Sequence, residues 1–388
     1  MTQPQELTDT QFEQRQKDIN NAKRIVVKIG SAVLTGQNGL DTSVIAHLAD
    51  QLSALVKTGR EFVLVSSGAV AAGRGLLAQV APGRDIPDRQ ASSAIGQSRL
   101  MRVYDECLGH YGIVTAQVLV TRSDLEERGR YLNVRNTLRT LLNWGAIPIV
   151  NENDTVGIHE LVYGDNDCLS ALLLNVIGAD LLINMTSADG VFETNPDTDP
   201  NARCLTHISD IAEIDIDTMC SGKTNVGSGG MYSKLLAARR AAQLSVPTLI
   251  LSGKKRGALT RAFAGEPVGT WIVPESKAIS RRKFWLAYNI EPKGMITIDD
   301  GAVNALQNRG KSLLPIGITM IEGEFDEGDL IRLIDKDREQ IGVGLSNYGR
   351  DELERIKGLH SEDIETALGH VPYAEAVHRD NMLLDAAV

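Results

Sequence analysis

The sequence predicts an α/β protein, with a body of parallel βαβ units followed by a smaller β-rich domain. Three observations carry this prediction. Hydrophobic residues make up 43% of the chain but aromatics only 4%, and many of the apolar residues are Ala, Val, Ile and Leu, as stacked helices over buried parallel strands require. From Arg24 onward, short β-branched runs alternate with stretches of helical period. After about Gly265 the texture changes to short strands and turns.

In order, RIVVKI from Arg24 is the first strand, a β-branched run too short for a buried helix. An amphipathic helix follows over roughly Ser43 to Lys57, then the strand EFVLVSS, a long helix near Arg89 to His110, and the strand VLVTR. A helix near Leu132 to Trp144 leads to AIPIVNEND, and the helix opened by YGDND leads to ADLLINMT. A polar region from Ser187 to Val226 precedes a helix at Met231 to Gln243 and the strand VPTLILSG. Parallel βαβ units place function at the carboxyl ends of their strands, where each motif below lies. The late segments GTWIVP, GMITIDDGAV and GDLIRLIDKDREQIGVGLSNY read as the short strands of the second domain.

A chain of 388 residues exceeds one ordinary core. The expected division is a polar N-terminal arm over 1–22, a main domain over 23–276, a linker over 277–290 and a β-rich domain over 291–380. The arm reads as mobile, or as a short surface helix. The formal charge of −10 argues against a grip on nucleic acid through bulk electrostatics. Residues 281–388 repeat the message, with 13 Lys or Arg against 20 Asp or Glu. Cys107, Cys168, Cys204 and Cys220 lack CxxC or Cys/His spacing, so neither a zinc site nor a disulfide framework is indicated. The first twenty residues lack the apolar core of a signal peptide, and no apolar run is long enough to span a bilayer, so a cytoplasmic chain with no membrane partner is expected.

Five motifs carry chemistry. In VVKIGSAVLTG, Lys28 is flanked by Val27 and Ile29, and burying it is costly unless its ammonium reaches an anion at the strand end, next to Gly30. In VLVSSGAVAAGRG, a strand runs into a turn that offers amides and the hydroxyls of Ser66 and Ser67, either to an anion or simply as a helix cap. VGSGGMYSK, Val226 to Lys234, is a glycine-rich turn opening a helix with a lysine, suited to phosphate but lacking the Walker A pattern. IVNENDTV presents Asn151, Glu152, Asn153 and Asp154 at a strand end. YGDND places Asp165, Asn166 and Asp167 before a helix, where capping accounts for one such residue and a ligand site would use the others. Acidic and amide groups beside two lysines divide as an amino acid and ATP would need.

Taken in order, VVKIGSAVLTG, VSSGAVAAGRG, AIGQSRLM, VLVTRSDL, RNTLRTLL, VNENDTV, GDND and GSGGMYSK resemble the glutamate 5-kinases of the amino acid kinase family. GMITIDDGAVNALQNRGKSLLPIGI and AVHRDNM resemble that family's C-terminal PUA domain. The resemblance implies an open, mostly parallel sheet sandwiched by helices, and transfer of the ATP γ-phosphoryl group to the side-chain carboxylate of L-glutamate, the first committed step toward proline. It implies that Ser67, Asp154 and Asn166 bind glutamate, that Lys28 and Lys234 contact phosphates, and that Asp167 holds those lysines. It implies too that Gly30, Thr186, Ser187, Ser228, Gly229, Gly230 and Met231 join the two lysines in contacting ATP. ATP with Mg²⁺ is the implied cofactor, with no residue assigned to the metal. Proline is the implied feedback inhibitor, sensed by Thr155 to Val162, and a homodimer or homotetramer is implied. Two departures stand out: Ser187 occupies a position where the family pattern leads one to expect Asp, and GSGGMYSK carries Ser for Thr twice, which keeps the hydroxyls. The rival readings are an RNA-binding protein, since PUA-like domains occur in such proteins, and a kinase for aspartate or another acidic substrate.

Overall fold

The apolar run RIVVKI forms β1 (Arg24–Ile29), and all but its first residue is buried. A small hairpin, β2 (Thr35–Gly36) and β3 (Gly39–Leu40), is followed by β4 (Glu61–Ser66), β5 (Thr115–Val120), β6 (Ile147–Glu152) and β7 (Leu181–Thr186). Next come the two-residue strands β8 (Val191–Phe192), β9 (Cys204–Leu205) and β10 (His207–Ile208), then β11 (Thr248–Ser252) and β12 (Thr270–Ile272). Eight of these form one sheet in the order β10-β12-β11-β7-β1-β4-β6-β5. Every pairing in it is parallel except β11 with β12. The central strands β1, β7 and β11 are predominantly apolar and buried along almost their whole length because helices cover both faces, which leaves no solvent side to demand alternation.

This computed structural model describes residues 8–36, 39–77, 83, 85–157, 166–194, 196, 199, 201–220, 230–276, 278–289, 291–370 and 373–384. The chain divides into two units, Met1–Ala278 and Ile279–Val388. The second holds β13 (Gly294–Ile298), β14 (Ile318–Gly323), β15 (Leu330–Ile334), β16 (Gln340–Leu345) and β17 (Met382–Leu384), in the order β14-β13-β15-β16-β17. Ile296, Leu333, Tyr348 and Leu353 lie in its core.

In two segments the structure goes beyond the sequence reading. The polar N-terminal arm contains the helix Asp9–Asn21, which buries Arg15 and Ile19 completely. The Arg15 guanidinium donates to the Val268 carbonyl at 2.7 Å and lies 5.8 Å from the Trp271 ring centroid, so this segment is anchored on the first unit. Residues 277–290, read as a linker, are helical over Arg281–Asn289, because the apolar Phe284, Leu286 and Tyr288 are buried.

One helix pair positions much of the site. Helix Ile86–Gly109 begins earlier than the periodicity indicated, because Asp85 accepts from the Asp88 amide at 3.1 Å and Pro87 suits the first turn. It crosses helix Ala69–Leu76 so closely that a Cβ on Gly73 would lie 1.8 Å from the Ser92 carbonyl oxygen, and one on Gly96 would lie 1.7 Å from that of Ala69. Both contacts are with backbone, which cannot swing aside. Gly96→Ala is therefore expected to cost about 1–3 kcal/mol of stability, as overpacking does, read from urea unfolding. A loss below about 0.5 kcal/mol, the range of ordinary surface substitutions, would show that the crossing is loose.

Candidate active site

Along the carboxyl edge of the sheet, β7 ends at Thr186, β1 runs out at Gly30, β4 leads into Ser67 and β6 leads to Asp154. Because these strands are neighbours in the order β7-β1-β4-β6, the motif residues come into one row without any being close in sequence.

At the centre is Asp167, fully buried near the start of helix Asn166–Ile177. Lys28 Nζ lies 2.6 Å from its Oδ1, and Lys234 Nζ lies 3.2 Å from its Oδ2. Asn184 Nδ2 donates to Oδ1 at 3.1 Å and Ser233 Oγ to Oδ2 at 2.6 Å. Two donors on each oxygen fix both the carboxylate and the lysines. Burial raises the Asp167 pKa, but the charges of Lys28 and Lys234 overcome it and hold the group well below the usual carboxylate range. Burial pushes Lys234 down, with Lys28 acting in the same direction and Asp167 opposing both. Two cations around one anion leave an excess positive charge at a strand edge. That excess is suited to a phosphate.

Asn166 is buried beside this hub. Its Nδ2 faces three acceptors, the Ser66 carbonyl at 3.1 Å, Ser67 Oγ at 3.2 Å and Asn151 Oδ1 at 2.9 Å, so it ties β4 to β6 across the row. Asp154 is also buried, with Oδ2 accepting from Ser93 Oγ on helix Ile86–Gly109 and Oδ1 lacking a hydrogen-bond partner among the described residues. Burial pushes its carboxyl above the ordinary range, against the Ser93 hydrogen bond and the positive charge of Arg89.

A comparison with known proteins decides the family. The amino acid kinase family model matches residues 23–252, and the PUA domain model matches residues 294–368. A glutamate 5-kinase of Maridesulfovibrio salexigens is 57% identical over 96% of this chain and 99% of its own length. One from Nitratidesulfovibrio vulgaris is 56% identical over 97% and 99%, and one from Geobacter sulfurreducens 48% over 94% and 98%. The chain belongs to the glutamate 5-kinase family. It is a kinase with an amino acid kinase fold and a C-terminal PUA domain.

In this kinase the residues named for ATP fall into two groups. Lys28 and Lys234 meet at Asp167, whereas the amide of Gly30, two residues beyond Lys28, donates to the Met185 carbonyl at 3.1 Å. Thr186 is buried at the end of β7, whereas Ser187, one residue on, is exposed. Gly230 accepts from Lys234 Nζ at 3.3 Å, and Met231 opens helix Met231–Gln243. Ser228, Gly229 and Asp165 lie outside the described residues, as does most of the segment named for proline, beyond Gly157.

Three partners were missed in the sequence. Ser93 was hidden because a serine in a long helix gives no local sign of which helix it faces. Asn184 had a readable signal, an amide inside the otherwise apolar LLINMT, since a buried amide needs a partner. The Ser233 hydroxyl was noted only as retained.

Proposed function

We propose that the chain phosphorylates the side-chain carboxylate of L-glutamate with ATP, giving glutamyl 5-phosphate, the first step of proline biosynthesis. The observation that carries this reading is the buried Lys28–Asp167–Lys234 bridge at the strand edge. A glutamate side chain, with a reference pKa of about 4.3, is already ionised at neutral pH, so attack on the γ-phosphorus needs no general base. What the reaction needs is relief of repulsion between that carboxylate and the polyphosphate, and a fixed in-line approach. Lys28 and Lys234 supply the charge, and Asp167 keeps two like ammonium groups aimed at one place. Asp154 takes the α-ammonium of glutamate, while Ser67 and Asn166 set its position. Thr186, Gly230 and Met231 contact the nucleotide.

Among the described residues no three His, Cys, Asp or Glu side chains gather to hold a metal. In our reading the ion travels with the ATP phosphates, as Mg²⁺ commonly does. The kinase acts as a homodimer or homotetramer in the cytoplasm, without nucleic acid as a partner.

The decisive assay is ATP-dependent hydroxamate formation with hydroxylamine. Glutamate is expected to give product and aspartate little; product from aspartate alone would overturn the substrate assignment. Proline is expected to raise the apparent KM for glutamate by competing near Asp154. Inhibition that saturating glutamate failed to relieve would place proline elsewhere.

A further inference from the structure

Glutamate bound by its α-ammonium alone would leave an α-carboxylate beside the anionic Asp154. The two cations at the hub, Lys28 and Lys234, are bridged by Asp167, and the phosphoryl groups claim their remaining charge. Another cation should therefore face the Asp154 end of the row. Arg89 fits. It sits in the first turn of helix Ile86–Gly109, one turn before Ser93 on the same helical face, and Ser93 is the residue whose hydroxyl reaches Asp154. The Arg89 charge acts on Asp154, yet among the described residues the Arg89 side chain makes no ion pair or hydrogen bond. It is partly buried. The row order supports the same placement. Nucleotide residues lie toward β7 and Asp154 follows β6, so the amino-acid end of glutamate lies away from the polyphosphate, on the side reached from this helix.

We propose that Arg89 reads the α-carboxylate of the amino-acid substrate, and that Asp154 and Arg89 together select a zwitterionic α-amino-acid end, with Ser93 as the positioning residue for Asp154. The planar guanidinium matches a carboxylate with two parallel donors, which a lysine cannot reproduce. The inference rests on the glutamate kinase reading.

The test compares L-glutamate with L-isoglutamine, which keeps the γ-carboxylate but carries an uncharged α-carboxamide, in the full-length protein by the hydroxamate assay. In the wild type, isoglutamine should have a KM roughly 10- to 100-fold higher than glutamate, the scale of hydrogen bonds to charged groups. Arg89→Met should raise the glutamate KM by a similar roughly 10- to 100-fold. It should leave the isoglutamine KM within about 3-fold, and the ATP KM and kcat near wild type, because only the α-carboxylate contact is lost. Unchanged isoglutamine kinetics would also show that the variant is folded. Arg89→Lys should recover part of the loss. Equal loss for both substrates, or a rise in the ATP KM, would overturn the assignment. If the wild type made no hydroxamate from glutamate, the kinase reading itself would fail, independently of Arg89.

Discussion

Asp154→Asn is expected to raise the KM for glutamate by roughly 10- to 100-fold, the worth of a hydrogen bond to a charged group, with kcat at saturation changed far less. The reason is geometric. Oδ2 is occupied by Ser93, while Oδ1 is buried with no partner among the described residues, an arrangement that costs free energy until a donor arrives. An α-ammonium meets that need and an amide group cannot match its charge. The same substitution should stabilise the free protein at neutral pH. Burial raises the Asp154 pKa in the folded state, so the ionised form opposes folding at pH values above the folded pKa. That cost disappears below the unfolded value of about 3.9, so the stability gain of Asp154→Asn should fade in acid. Lower stability at pH 7 together with an unchanged glutamate KM would remove Asp154 from the substrate site.

How far the sequence could be read follows from which interactions are local. The mostly parallel sheet was legible because β1, β7 and β11 are short, predominantly apolar runs with no regular polar alternation, as strands buried on both faces require. Lys28 was legible for the same reason, as a charge inside one of those runs. Helix Asp9–Asn21 was legible only as one of two alternatives because it buries only two side chains, one of them Arg15, and a stripe that narrow resembles a solvated surface. The supposed linker went unread as a helix because Phe284, Leu286 and Tyr288 do not keep to one helical stripe, so burial rather than periodicity reveals them. Ser93 and its link to Asp154 depend on the crossing of two helices at Gly73 and Gly96, a close approach that no local pattern specifies.

Asp167→Asn is expected to lower kcat by roughly 10²-fold or more, the scale for loss of a preorganised charge-stabilising group. As a helix cap alone, Asp167 would be worth about 1 kcal/mol and would leave turnover nearly unchanged. Its carboxylate instead meets four side chains, Lys28, Asn184, Lys234 and Ser233. Replacing it with a neutral amide leaves two buried ammonium groups facing each other. Losing one partner of a buried ion pair costs about 3–5 kcal/mol, so the melting temperature should fall more than a cap would allow. Lys234, already lowered by burial and by Lys28, loses the group that opposes both effects, so its pKa should drop further and its charge at the phosphate should weaken. A pH signature separates this from general damage. Because the folded Asp167 pKa is depressed, its ionised form stabilises the wild type above the unfolded value of about 3.9, and that contribution is lost as the pH falls toward the folded pKa. The acid side of the stability curve should therefore be flatter in Asp167→Asn than in the wild type. Turnover within a few-fold of wild type at saturating glutamate and ATP would sink the role given to Asp167, whatever the stability.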